Sequence, residues 1–206
     1  HIVHLSSRMG LDEVRRARED GVDMSAETCP QYLLLTKDVY ERPGGHLFSA
    51  SPALRKADDN EALWNAIADR EIDFVATDHC SFTREQKTWK GSFLDLPYGL
   101  PGVETMMPLI YSEGVDRGLL TLSDMACVCS ENAARLYGLY PKKGSILPGA
   151  DADIAIFDPS VEWRVFAKDL HMKTDFSPYQ GWTIRGKNRM TISRGEVIVE
   201  DGTYTG

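Results

Sequence analysis

Ile72-Asp73-Phe74-Val75-Ala76-Thr77-Asp78-His79-Cys80 runs from apolar β-forming residues straight into side chains that can do chemistry. Residues 72–77 read as a buried strand, and Asp78 follows at its end. Ile2-Val3-His4-Leu5-Ser6-Ser7 has the same texture, with His4 leaving an apolar run just before polar residues. In parallel α/β folds the carboxyl ends of the strands carry the active site. His4 and Asp78 are 74 residues apart. A (β/α)8 barrel spends about 31 residues per unit, so they are expected about two strands apart. His46-Leu47-Phe48-Ser49-Ala50 reads as the strand between, with Ser51 near its end.

Working outward, Leu11, Val14 and Ala17 have helical spacing that stops at Gly21. Asp58 or Asp59 is placed to cap a helix carrying Ala62, Leu63, Ala66 and Ile67. A polar stretch from Ser81 to Ser92 leads into a Pro/Gly-rich loop, Pro97 to Gly102. Thr121 and Ser123 open a helix through Met125, Cys129, Ala133 and Leu136 that Pro141 is expected to end. Beyond Gly144 come short apolar runs: 154–157, 161–165, 190–192 and 197–199. Asp158-Pro159, Arg194-Gly195 and Asp201-Gly202 separate them as turns, the pattern of a small antiparallel β unit. The reading is therefore an α/β domain joined to a β domain near residue 142. No further α/β strand follows Asp78, so in a barrel Asp78 ends the last strand and His4 the sixth. The first residue is His1 rather than Met, inside an apolar run, as expected of a chain whose upstream five units are missing.

Composition excludes several functions. The chain has 206 residues, 42% hydrophobic and 26% charged, which is ordinary for a globular protein. Lys plus Arg total 23 against 31 Asp plus Glu, a net charge of -8 with no basic run, a poor match to nucleic acid. No apolar stretch is long enough to span a membrane, and residues 1–7, without a basic start or a long apolar run, are not expected to act as a signal peptide. Cys29, Cys80, Cys127 and Cys129 have neither zinc-knuckle spacing nor the density of a disulfide scaffold, which points to reduced thiols in the cytoplasm.

A His and an Asp at strand ends can both ligate a metal, and the Asp can take a proton from bound water. Each also has a plain structural reading, His4 as a hydrogen-bonded residue and Asp78 as a cap or loop residue. His79 and Cys80 are possible ligands, but neighbours on a strand point to opposite faces, so at most one of Asp78 and His79 faces the site. Ser51-Pro52 is either a strand-end hydroxyl or a turn. Tyr98-Gly99-Leu100-Pro101-Gly102 either exposes backbone groups to a ligand or is turn chemistry alone. His1 is expected to fray, and His46 and His171 have no local partners. Cys127 and Cys129 read as small buried helix residues.

Ile2–Ser7, Glu27-Thr28-Cys29-Pro30-Gln31-Tyr32-Leu33, Ser51-Pro52-Ala53-Leu54-Arg55, Asp73–Cys80, Gly99-Leu100-Pro101-Gly102-Val103-Glu104, Tyr140-Pro141-Lys142-Lys143-Gly144 and Gly149-Ala150-Asp151-Ala152-Asp153-Ile154 occur in that order. This set resembles the C-terminal half of a bacterial D-hydantoinase or dihydropyrimidinase, of the cyclic amidohydrolase family, along essentially the whole chain. The resemblance implies the last strands of a (β/α)8 TIM-type barrel over residues 1–142 and part of a small β-sandwich over 143–206. It implies a hydrolase that opens the cyclic amide of hydantoins or dihydropyrimidines to N-carbamoyl amino acids. Two divalent metals, zinc by preference, would be bridged by hydroxide and by a carboxylated lysine outside this chain. His4 would be a metal ligand. Asp78 would bind metal and act as the catalytic proton shuttle. Ser51 would contact the substrate ring amide, and Tyr98 would contact the substrate mainly through its backbone. A small cyclic ureide is the implied partner, in a homotetramer or homodimer.

The chemistry suits those roles. Ring opening needs a nucleophile stronger than water, and a bound metal lowers the pKa of its water to near ~7. This sequence also departs from the family pattern. Pro97-Tyr98-Gly99 stands where Pro-Asn-Gly is usual, and Ser51-Pro52-Ala53 and His79-Cys80-Ser81 each lose a proline, which puts loop rigidity and substrate preference in doubt. The family's other metal ligands would lie upstream, so this chain alone is expected to be inactive. Cys29-Pro30-Gln31-Tyr32 favours hydantoinase-like members over allantoinases. The competing readings are a non-catalytic relative kept as a scaffold, against which retention of His4 and Asp78 argues, and an inactive truncated product.

Overall fold

The computed structural model describes residues 1–206. In chain order the regular elements are helix α1 (Arg8–Glu19), strand β1 (Glu27–Thr28), helices α2 (Pro30–Leu34) and α3 (Ala57–Ala68), and strand β2 (Phe74–Val75). Helices α4 (Met106–Ile110), α5 (Leu122–Ala126) and α6 (Asn132–Leu136) follow, then strands β3 (Ile154–Arg164), β4 (Thr183–Ser193), β5 (Glu196–Glu200) and β6 (Thr203–Tyr204). They form two compact units. One holds His1–Met106 with Arg164–Trp182, and the other Met107–Trp163 with Thr183–Gly206.

The first unit is built on parallel pairing. β1 pairs with β2 in parallel, Glu27 opposite Phe74 and Thr28 opposite Val75, and Ile2 bridges Ala26 in parallel on the other side. The strand between the His4 and Asp78 segments is therefore β1, and Ser51 does not end it. Residues 46–50 are not a strand. Gly45–Phe48 forms a 3-10 turn entered through Gly44 at φ +79°. Gly45 lies so close to Tyr40 that an added Cβ would sit 2.3 Å from the Tyr40 carbonyl oxygen, so only glycine fits there. His1 is not frayed: its ring stacks on Phe74 at 5.4 Å and its Nδ1 lies 2.8 Å from Ser25 Oγ.

α1 begins where the Ser7 hydroxyl accepts from Gly10 N–H, and ends before Gly21 at φ +82°. It buries Leu11 and Val14, while α3 buries Ala62, Leu63, Ala66 and Ile67. The helical spacing of these residues makes one apolar face on each helix. Asp59 caps α3 from inside its first turn rather than from before it. Its carboxylate accepts from Lys56 N–H at 3.1 Å and also from Arg8 N–H at 2.9 Å, so one side chain holds two helix starts. Asp59→Ala should lower stability by about 1–2 kcal/mol, read by urea unfolding, whereas Asp58→Ala, whose exposed side chain holds neither amide, should leave the midpoint nearly unchanged.

The second unit places its sheet in the order β3-β4-β5-β6, with β4·β5 and β5·β6 antiparallel. Arg194 (φ +51°) with Gly195 (+88°), and Asp201 (+47°) with Gly202 (+79°), make the tight hairpin turns expected there. Asp158-Pro159 does not break the run; it lies inside β3. That strand is the outer one of the sheet, where a residue without an N–H is tolerated. Gly138 at φ +69°, not Pro141, ends the helical segment that α5 and α6 close, and Leu139 N–H reaches back to Ala134 O at 2.8 Å.

Candidate functional site

His4 and Asp78 leave their strands with φ +42° and +44°. Left-handed backbone is uncommon outside glycine, although His and Asp tolerate it better than most residues. Two such residues on the exits of parallel segments are held there by surrounding structure. Leu5 N–H donates to Glu27 O at 2.7 Å and Glu27 N–H to Ile2 O at 2.9 Å, while Thr28 Oγ1 donates to Leu5 O at 2.7 Å. Ala76 N–H donates to Thr28 O at 2.9 Å. The middle strand thus fixes both exits.

Glu27 sits between them and is 9% exposed. Burial pushes its carboxyl pKa up; His4 opposes the rise, by charge and by its backbone N–H bond, and the Asp78 carboxylate adds to it. His1 Nε2 lies 3.2 Å from Glu27 Oε2. The Asp78 charge is felt further round the same end of the unit. Cys29, Tyr32 and Cys80 are all pushed up, by burial first, with Asp78 contributing to each. For the two thiols the rise runs against the thiolate, the nucleophilic form.

His79 is spent on structure. Its Nδ1 accepts from Gly102 N–H at 3.1 Å and Val103 N–H at 3.4 Å, and residue 79 bridges Leu100 in parallel. Cys80 N–H donates to Leu100 O at 3.0 Å. These bonds hang the 98–102 loop on the end of the Asp78 segment. Ser51 is exposed, and its loop is tied to the Tyr98 loop through Ser49. Ser49 O accepts from Gly99 N–H at 2.9 Å and Ser49 Oγ donates to Pro97 O at 3.1 Å. Tyr32 hydroxyl donates to Pro52 O at 2.8 Å, which links the Ser51 loop to the residues around Asp78. Tyr98 is 41% exposed with its hydroxyl on Phe93 O at 3.0 Å, and its ring borders a cavity of ≈ 470 Å³ lined also by Tyr40, His46, Ser49, Trp89 and Phe93. His171 lies apart from these residues in its bonding, paired with Glu104 at 2.9 Å.

The donor set tests what metal this chain can hold. His4 and Asp78 give one imidazole and one carboxylate, and no three His, Cys, Asp or Glu side chains converge into a metal-holding group. Catalytic zinc keeps three protein ligands, so these residues alone do not complete a metal site. Sequence reasoning missed Glu27, Ser49 and Lys87, the last a fully buried lysine whose ammonium donates to Leu47 O and to Ser49. Glu27 lay in a quoted motif whose two-residue strand was too short and polar to show as periodicity. Lys87 lay in a stretch that reads as a solvated loop.

His4 and Asp78 thus leave the parallel segments on either side of β1 at the end where α/β folds place their active sites. Residues 1–198 match the amidohydrolase family, and the chain belongs to that family. It is 45% identical over 208 residues to D-phenylhydantoinase of Escherichia coli O1:K1 / APEC, and equally to that of the K12 / DH10B strain, in each case across 100% of this chain and 45% of the relative. Among solved structures, D-hydantoinase (dihydropyrimidinase) from Thermus sp. superposes with a TM-score of 0.96 at 37% identity, over 99% of this chain and 45% of that one. L-hydantoinase (dihydropyrimidinase) from Arthrobacter aurescens does so with 0.92 at 32% identity, with the same coverage. The chain thus spans about half the length of the curated relatives it matches. No helix is long and apolar enough to cross a membrane.

Proposed function

We propose that this chain supplies the C-terminal part of a metal-dependent hydrolase that opens the cyclic amide of hydantoins or dihydropyrimidines to N-carbamoyl amino acids. The observation that carries this reading is the 45% identity to D-phenylhydantoinases along 100% of the chain. The strand-end placement of His4 and Asp78 supports it. In this reading residues 1–142 belong to the barrel and 143–206 to the β-sandwich; parallel pairing early in the chain and antiparallel pairing late agree with that order, whereas the compact units divide at Met106 and return Arg164–Trp182 to the first.

His4 and Asp78 would be this chain's share of the ligands for two divalent metals, zinc by preference, with a carboxylated lysine and the other ligands outside it. Asp78 is the proton carrier: its carboxylate accepts the proton of the attacking water and returns it to the ring nitrogen as the C–N bond breaks. The Ser51 hydroxyl and the Tyr98 backbone hold the ring amide. Both loops are anchored through Ser49, so the ring is held without new ordering of the backbone. The four free cysteines support a reducing, cytoplasmic setting, and the full-length protein is read as a homotetramer or homodimer, as the family resemblance implies.

The test is a ring-opening assay on the full-length, zinc-loaded protein with hydantoin and dihydrouracil, read by loss of ureide absorbance and appearance of the N-carbamoyl product. Turnover of either ring is expected. No turnover of any cyclic ureide by the folded, metal-loaded protein would move the chain to the non-catalytic scaffold reading.

A further inference from the structure

Thr83 to Lys87 is polar in sequence, and a lysine there belongs in water by composition. The structure instead buries Lys87 completely, at 0% exposure. A helical turn carries it inward: Lys87 N–H donates to Thr83 O at 3.0 Å, and Thr83 N–H to Gln86 Oε1 at 2.8 Å. The three ammonium hydrogens meet three acceptors: Leu47 O at 3.1 Å, Ser49 O at 2.9 Å and Ser49 Oγ at 2.9 Å. All three are neutral. Burial lowers the ammonium pKa to about 8, with Cys80 opposing. A buried cation with no carboxylate partner is costly, and an apolar side chain of similar volume would serve stability better.

What the cation does is organise Ser49. The Ser49 hydroxyl accepts from Lys87 and passes its own hydrogen to Pro97 O, while Ser49 O accepts from both Lys87 and Gly99 N–H. The peptide groups on either side of Tyr98 are thereby fixed to the segment that ends in Ser51. Such a chain of bonds is strengthened by the charge at its head.

We propose that Lys87 is a positioning residue for substrate: acting through Ser49, its buried ammonium sets the spacing between the Ser51 loop and the Tyr98 loop, and so the fit of the ring amide. The proposal rests on the reading above that these two loops hold the ring. Lys87→Met is unbranched and only one atom shorter, and it removes the donors. In the full-length, metal-loaded enzyme it is expected to keep the wild-type metal content. Hydrogen exchange at the Gly99 amide should quicken by tenfold or more, and KM for the cyclic ureide should rise by about tenfold while kcat changes less than threefold.

Gly99 exchange and KM both within twofold of wild type would overturn the proposal. So would a lower active fraction with unchanged KM, the signature of a merely structural lysine. Should Lys87→Met fail to fold, Ser49→Ala carries the same test, because it cuts the relay to Pro97 and leaves the ammonium two oxygens. Its KM should rise in the same sense, and an unchanged KM would overturn the proposal. If the wild-type enzyme opens no cyclic ureide, the functional reading fails separately, and Gly99 exchange still shows whether the clamp exists.

Discussion

Asp78→Asn in the full-length enzyme should lower kcat/KM for ring opening by about 10³-fold, inside the range that general acid–base groups supply. The substitution is nearly isosteric, and Asn tolerates left-handed backbone as well as Asp does, so the φ of +44° is no obstacle. The fold should therefore survive, with the melting temperature lowered only as far as bound metal is lost, while the proton carrier is removed. His4→Asn makes the matching test at the other strand exit, where φ is +42°. It too should fold and lose activity, through loss of the imidazole rather than of the proton shuttle. Steady-state kinetics with thermal melts separate these outcomes from general damage. Activity within tenfold of wild type for either variant would remove that residue from the site.

Gly99→Ala should be strongly damaging to the first unit. Residue 99 has φ +126°, which L side chains rarely adopt, and an added Cβ would lie 2.5 Å from both Cβ and Sγ of Cys80. The neighbours cannot yield cheaply, because Cys80 N–H is bonded to Leu100 O and Gly99 N–H to Ser49 O. Strain and overlap together should cost about 3 kcal/mol. Gly118→Ala is the control. Its φ is +77°, yet nothing lies within 4 Å of the new Cβ, so only the conformational cost of about 1 kcal/mol remains. Urea unfolding of both variants gives the comparison, and equal losses would show that the contact with Cys80 does not constrain the loop.

The strand exits were legible because an apolar run that turns abruptly polar reports burial followed by exposure. The hairpin turns Arg194-Gly195 and Asp201-Gly202 were legible for a related reason: the positive φ they need restricts which residues fit. What escaped were features set by tertiary contact. β1 is only Glu27–Thr28, with no alternation to detect, and residues 46–50 were drawn into a 3-10 turn by Gly44 and Gly45 against Tyr40. Pro159 looked like a break because the sequence does not say which strand is outermost. Glu27 and Lys87 are charged side chains inside the protein, and no periodicity distinguishes them from surface charges. His79 carried the same chemical promise as Asp78, and only the hydrogen bonds from Gly102 and Val103 show that its Nδ1 serves the loop.

Metal content decides most directly whether His4 and Asp78 belong to a metal-dependent hydrolytic site. Elemental mass spectrometry on the folded full-length protein should find about two zinc-like ions per chain in the wild type. Fewer should remain after His4→Asn or Asp78→Asn, because metal sites depend on their full set of ligands. A wild type without bound metal, or metal content untouched by both substitutions, would contradict the assignment of these two residues to the site.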